Sequence, residues 1–164
     1  MAAETPFEHY AELLSGMNRA VVKGYRAPHK LVLLMAICEM VEEGKITENK
    51  VFLNAGLEEK FKTLWKEYVD SDEEMPHNCV AEELFGGERK AYPFKCNIAN
   101  PFYHLSGEPF WTLKKSTNWS QRTSWSVAAL RTDYECAIIE EDLFKLMTND
   151  ISRERIMSLL ISTI

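Results

Sequence analysis

The sequence has no hydrophobic run long enough to cross a bilayer, which takes about 20 consecutive apolar residues. Its most apolar stretch, residues 31–37, is far shorter. Residues 1–6 also lack the basic and apolar regions of a signal peptide. We therefore expect a cytoplasmic protein that does not associate with membranes.

The cysteines and histidines form no complete metal-binding pattern. The four cysteines are widely spaced and include no C-x-x-C pair. His77 and Cys79 lie close together, but a zinc site needs a second such pair. We therefore expect reduced thiols, no bound metal and no cofactor.

Signatures of catalysis are also missing. The chain has no Gly-x-Ser-x-Gly elbow, no glycine-rich phosphate loop and no paired-carboxylate motif. His77-Asn78 resembles part of a ββα-metal nuclease motif, but the other metal-ligand histidines of that motif are absent. The sequence therefore predicts a chain that is not an enzyme by itself.

Charge is distributed unevenly along the 164 residues, whose net charge is −6. Residues 18–38 hold four basic side chains and no acidic one, and residues 86–131 hold seven basic side chains against two acidic ones. The remaining segments are acidic. This pattern indicates a local polyanion-binding face on an acidic body, and the alternative is chance clustering of surface charge.

Hydrophobic spacing and cap residues predict an α+β protein that is mainly helical, a winged-helix-like helical bundle with a small β-hairpin. We expect a single domain over residues 1–164, with a mobile acidic and basic loop at about residues 70–97. The first predicted helix begins at a capping box, Thr5-Pro6-Phe7-Glu8, and the third begins at an Asn54 cap. The second covers residues 28–42 and ends at Gly44, and because its body is apolar on every face we expect it to be the central, most buried helix. The later helices cover residues 126–131 and 140–147 and run from a Ser152 cap to residue 164. The predicted strands cover residues 98–105 and 110–113, which form the hairpin, and 137–139.

Donors and cations cluster where the second predicted helix begins, in Tyr25-Arg26-Ala27-Pro28-His29-Lys30. Proline suits a first helical turn, because its φ is preset and its missing N–H would be unpaired there. The free N–H groups and the positive dipole end of such a helix attract anions, phosphate above all. The alternative is a packed His29 beside a solvent-facing Lys30.

Two further clusters are candidates for ligand contact. The first contains Asn100, Pro101 and His104, in which proline gives a rigid apolar surface and the other two add polar side chains. The neighbouring Phe102 and Leu105 are typical core residues. After the predicted hairpin, basic, amide and tryptophan side chains are interleaved, as suits contacts with a nucleic-acid backbone and base edges. A solvated loop between two buried tryptophans is the alternative there.

Four motifs occur in a fixed order over roughly residues 7–164. They are Arg26-Ala27-Pro28-His29-Lys30 before a leucine-rich helix, Phe61-x-x-Leu64-Trp65, Asn100-Pro101-Phe102-x-x-Leu105 and Phe110-Trp111-x-Leu113. Together they resemble the sulfur-binding domain of phosphorothioate-dependent restriction proteins, which usually precedes a catalytic HNH nuclease module.

The resemblance implies that the chain binds double-stranded DNA whose backbone carries sulfur in place of a non-bridging oxygen. It implies that His29 and Lys30 lie beside an apolar cup and that Pro101 forms its floor. Asn100 and His104 stand where the family has tyrosine and a small residue, so this cup is more polar. A nuclease domain or partner would supply cleavage. The chain's end in an apolar segment suggests a piece of a longer protein.

Two sets of candidate residues follow. The residues expected at the sulfur and DNA site are Tyr25, Arg26, His29, Lys30, Asn100, Pro101 and His104. Those expected on the DNA backbone are Arg19, Lys23, Arg89, Lys90, Lys95, Lys114, Lys115 and Arg122. The alternatives are a winged-helix DNA binder without sulfur preference, and a protein-interaction domain that uses the acidic residues 39–85.

Overall fold

The computed structural model of the chain describes residues 5–22, 25–71 and 94–164. Most of the predicted loop at about residues 70–97 therefore lies outside the described residues. The same holds for three residues expected on the DNA backbone, Lys23, Arg89 and Lys90, and for the His77 and Cys79 pair.

Within those ranges the protein is mainly helical, with two small antiparallel sheets. The helices are α1 (Pro6–Ser15), α2 (His29–Glu42), α3 (Ala55–Trp65), α4 (Ala99–His104), α5 (Val127–Asp133), α6 (Glu141–Thr148) and α7 (Asp150–Thr163). A π-helical turn (Lys66–Asp70) continues α3, and a 3-10 turn (Leu105–Gly107) continues α4. The strands are β1 (Val21–Val22), β2 (Tyr25–Arg26), β3 (Lys50–Val51), β4 (Trp111–Lys115) and β5 (Tyr134–Ile139).

The capping box predicted for α1 is confirmed. Glu8 N donates to Thr5 Oγ1 at 3.1 Å, and Thr5 N donates to Glu8 Oε2 at 3.3 Å. The two bonds satisfy backbone donors that a helix start leaves unpaired. Asn54 likewise caps α3, as predicted, by accepting from Leu57 N at 2.9 Å.

Helix α2 is the centre of the core. Residues 31–38 are all fully buried, because α3, α4, α6 and α7 pack around them. The helix ends before Gly44, whose φ of 74° lies in the left-handed region that favours glycine. A helix apolar on every face has to be enclosed in this way, so the predicted central position is confirmed.

The first strand of the predicted hairpin is wrong. Residues 99–104 form α4 instead, and Asn97 Oδ1 accepts from Ala99 N at 3.0 Å as the helix begins. Buried Ala99, Phe102 and Leu105 recur at helical rather than alternating spacing, which places them together on the core side. The aromatic content had suggested a strand, but the helical period prevails.

The larger sheet has β5 in the middle, with β3 and β4 antiparallel on its two sides. Val51 lies opposite Ala137, and Trp111 lies opposite Ile139. The predicted strands at 110–113 and 137–139 are therefore confirmed, but they pair with each other.

The predicted Ser152 cap of the last helix is also wrong. Helix α7 begins at Asp150, and the side chain of Asn149 accepts from Ile151 N at 3.0 Å and from Ser152 N at 3.1 Å. Asparagine is among the strongest N-caps, and it stands first in the chain. Among the helices that the structure describes, none combines the length and apolar character needed to cross a membrane.

Candidate functional site

A cleft of about 890 Å³ opens between the start of α2, helix α4 and a strap formed by residues 18–21. Its lining combines residues from motifs that lie far apart in the sequence. The predicted site residues in the lining are Arg19, His29, Lys30, Lys95, Asn100, Pro101 and His104. Tyr25 and Arg26 form β2, behind this lining.

Backbone bonds and buried side chains fix the walls of the cleft. Ala27 N donates to Ala20 O at 2.7 Å, which continues the pairing of β1 with β2 and closes the strap. Pro28 is buried at the start of α2 and its carbonyl accepts from Val32 N at 3.0 Å. On the far wall, Phe102 O accepts from Trp111 Nε1 at 3.0 Å, which anchors α4 on the sheet. The cleft therefore rests on the core.

Lys30 points into the cleft and is already paired there. Its Nζ lies 3.2 Å from Glu108 Oε1 and donates to Asn18 O at 2.7 Å. The same Glu108 oxygen accepts from Asn18 N at 3.1 Å. The side chains of Lys30 and Glu108 are only 13% and 12% exposed, so water screens this pair weakly. The solvent-facing alternative for Lys30 is wrong.

His29 holds a wall of the cleft in place. Its Nε2 lies 2.7 Å from Lys95 O, and because a carbonyl only accepts, Nε2 donates. The ring packs 4.6 Å from Trp65 and edge-on to Phe94 at 6.1 Å. Burial lowers the pKa of His29, so the imidazole is neutral near pH 7. His29 therefore contributes packing and a donor rather than charge.

His104 forms the opposite rim. Burial, and then the positive charge of Lys30, lower the pKa of this imidazole. Its ring lies edge-on to Tyr103 at 5.2 Å and to Trp125 at 6.3 Å, and those two rings stack on each other at 3.8 Å. Asn100 is exposed beside it, whereas Pro101 is buried against the core. The rim of the cleft is therefore polar but uncharged.

Arg19 carries a positive charge that no carboxylate of the described residues neutralises. Its Nη atoms make long hydrogen bonds, to Ala27 O at 3.4 Å and Thr163 O at 3.5 Å, while its buried Nε has no partner in the described structure. Burial, and then the charge of Arg26, lower the pKa of Arg19. The guanidinium group of Arg19, which lines this end of the cleft, therefore favours an anion there.

The basic residues after β4 lie outside the cleft, and each has an internal partner. Lys114 Nζ lies 2.9 Å from Glu135 Oε2, and Lys115 Nζ lies 4.0 Å from the Trp119 ring centre. Arg122 donates to both carboxylate oxygens of Asp133, at 2.7 and 3.1 Å. That contact lowers the pKa of Asp133. Arg122 therefore fastens the segment between β4 and α5.

The two residues of the cleft that pair with Lys30, Asn18 and Glu108, were missed from the sequence. Asn18 carries no charge or motif that distinguishes it. Glu108 reads as an ordinary turn residue in Ser106-Gly107-Glu108-Pro109. The only usable signal was that Glu108 is one of just two acidic residues in the basic segment 86–131.

Comparison with protein-family models found no family that matches this chain, and comparison with curated proteins found no significant relative. In residues 5–22, 25–71 and 94–164, no three acidic, histidine or cysteine side chains are grouped as metal ligands would be.

Proposed function

We propose that the chain is a DNA-binding module that grips the backbone of a phosphorothioate-modified duplex in this cleft. One observation carries the proposal: cations and apolar groups from three separate segments line the same cleft. Arg19, Lys30 and Lys95 supply the charge, and Ala27 and Pro101 supply apolar surface.

The cations support a polyanionic ligand. The chain as a whole has a net charge of −6, so a concentration of bases in one cleft runs against the average charge. An unpaired buried donor such as Arg19 Nε costs about 1–3 kcal/mol, and that cost would be recovered if the side chain turned so that a phosphate oxygen accepted from it. Phosphate contacts of this kind position a protein on DNA without reading its sequence.

The apolar part of the lining supports a preference for sulfur. Sulfur is larger, more polarisable and less well hydrated than oxygen, so it gains more from contact with hydrocarbon. Ala27, which is half-buried, and Pro101, which lines the cleft although most of it is buried, are the residues that would offer that contact. The polar rim at Asn100 and His104 favours the main alternative, a DNA binder that is indifferent to sulfur.

The order of elements supports a winged-helix-like arrangement for such a module. Helices α2, α3 and α4 precede β4 and β5, and the early strand β3 pairs with the last strand β5. In helix-turn-helix proteins the second of the two helices, the recognition helix, enters the major groove, and we assign that role to α4 as the last helix before β4. In that arrangement α4 would present Asn100 and His104 toward DNA, beside the cleft that holds the backbone.

Fluorescence anisotropy with two duplexes of one sequence, with and without a single phosphorothioate, tests the proposal across a salt series. We expect tighter binding of the modified duplex, and affinities for both that fall as salt rises. Affinities equal within about twofold would refute the preference for sulfur. If neither duplex binds at low salt, the nucleic-acid proposal fails and a protein-interaction domain becomes the better hypothesis.

We also propose that this chain binds without cutting, and that a nuclease domain or partner supplies cleavage. Incubation of the modified duplex with the protein and Mg²⁺ or Mn²⁺ tests this, with the products resolved on a denaturing gel. Intact DNA is expected, and cleavage that survives repurification of the protein would refute it. The expected cytoplasmic location stays a prediction.

A further inference from the structure

The position beside Lys30 that an anion would take is already occupied by a carboxylate of the same chain. Glu108 Oε1 accepts both from Lys30 Nζ and from the backbone N–H of Asn18, at 3.2 and 3.1 Å. An ammonium group and a backbone amide converging on one anionic oxygen are the donors that bind phosphate oxygens in other proteins. The carboxylate of Glu108 is thus a substitute for a phosphoryl oxygen.

At the other end of the cleft, the positive charge has no carboxylate partner among the described residues. Arg19 lines the cleft there, and its Nη atoms contact only carbonyl oxygens, so the described residues place no carboxylate on it. The cleft therefore offers one anion position that is open and one that is occupied. A ligand with a single anionic group can bind at the open position and leave Glu108 undisturbed.

We propose that Glu108 competes with the ligand for Lys30, so that the cleft selects chains of neighbouring anionic groups over isolated anions. This inference rests on the proposed function, because it concerns the same cleft. A first phosphate at Arg19 holds the next group of the same backbone close to Lys30 at high effective concentration. That second group displaces the Glu108 carboxylate, which a free anion in dilute solution does not.

The local geometry allows this exchange without a change of fold. Glu108 follows the 3-10 turn in an extended conformation, and its backbone N–H is held by Leu105 O at 2.8 Å. Only its side chain has to move toward solvent. Lys30 keeps an anionic partner before and after the exchange, and its bond to Asn18 O does not depend on Glu108.

The first test compares duplex affinities of the wild type, Glu108→Gln and Glu43→Gln. Glu43 is also ion-paired, to Lys60 at 2.7 Å, but it lies at the other end of α2, about 20 Å from the cleft. Both substitutions remove one negative charge, so they separate a local from a general electrostatic effect. We expect Glu108→Gln to tighten binding about five- to tenfold and Glu43→Gln to change it less than about twofold.

The second test needs no DNA and uses inorganic phosphate as the probe. Phosphate is titrated into ¹⁵N-labelled protein while the amide resonance of Asn18 is followed. We expect that resonance to shift in Glu108→Gln at phosphate concentrations that leave it unmoved in the wild type. In the wild type it should shift only when the duplex is added, as Glu108 is displaced from the amide.

The outcomes distinguish the inference from the proposed function. If no variant binds a duplex but phosphate shifts Asn18 in Glu108→Gln alone, the DNA proposal fails and the role of Glu108 stands. If a folded Glu108→Gln binds neither duplex more tightly nor phosphate, Glu108 is only structural and the inference is overturned. Should Glu108→Gln fail to fold, Glu108→Asp replaces it, because the shorter side chain cannot reach Lys30 and Asn18 together.

Discussion

Replacing Arg19 with methionine should make the protein more stable and a weaker DNA binder. The buried Nε of Arg19 has no partner in the described structure, which costs about 1–3 kcal/mol. Its two hydrogen bonds, at 3.4 and 3.5 Å, are too long to offset much of that cost. Methionine keeps an unbranched stem of similar length and removes the repulsion from Arg26.

The expected gain in the free energy of unfolding is about 1 kcal/mol, after the two weak bonds are subtracted from the cost of the unpaired donor. For a domain of this size that raises Tm by about 2–4 °C, which thermal unfolding followed by circular dichroism resolves. Under the proposed function, the same substitution would remove one phosphate contact. Duplex affinity should fall about tenfold, and the slope of log affinity against log salt should decrease by about 0.9.

Arg131→Met is the matched control, since it also removes one guanidinium group. Arg131 donates to Leu53 O and to Glu58, and it lies away from the cleft. Its loss should therefore lower Tm and leave duplex affinity nearly unchanged. A drop in Tm for Arg19→Met, or an unchanged duplex affinity, would refute the reasoning that Arg19 is held unpaired for a ligand.

Three further substitutions test other parts of the structure. Lys30→Ala should weaken binding to duplexes of any sequence and flatten the salt slope by about one unit, and an unchanged slope would remove Lys30 from the interface. Pro101→Ala should lower the ratio of modified to unmodified duplex affinity, and an unchanged ratio would show that Pro101 does not contact sulfur. Asn149→Ala should cost about 1 kcal/mol of unfolding free energy in urea titrations, and an unchanged free energy would show that Asn149 does not cap α7.

The sequence was most informative where local chemistry decides the structure. The Thr5 capping box, the Asn54 cap, the Gly44 terminus and the apolar α2 were all found as predicted, because each depends on residues within a few positions. The predicted hairpin was wrong because the aromatic content of residues 98–105 was given more weight than the spacing of their apolar side chains. The positions of Ala99, Phe102 and Leu105 already carried the helical period.

The part of the candidate site that lies in local motifs could also be predicted from the sequence. Lys30 and Pro101 stand in recognisable local motifs, so both could be named from the sequence and both line the cleft. Their partners could not be. Glu108 reaches Lys30 across 78 positions and Arg122 reaches a buried Asp133, and single-sequence patterns carry no information on such pairings.

The rigidity of the walls of the cleft determines how much the protein has to rearrange when a ligand binds. Two of its three walls are the start of the most buried helix, α2, and helix α4, which is anchored through the bond between Trp111 Nε1 and Phe102 O. Such walls lose little conformational freedom when a ligand binds, so little binding free energy goes into ordering them. Under the proposed function, the remaining change would be electrostatic: Arg19 would gain a partner and Lys30 would exchange one. We therefore expect affinity in this cleft to depend on the competition at Lys30 more than on the shape of the backbone around it.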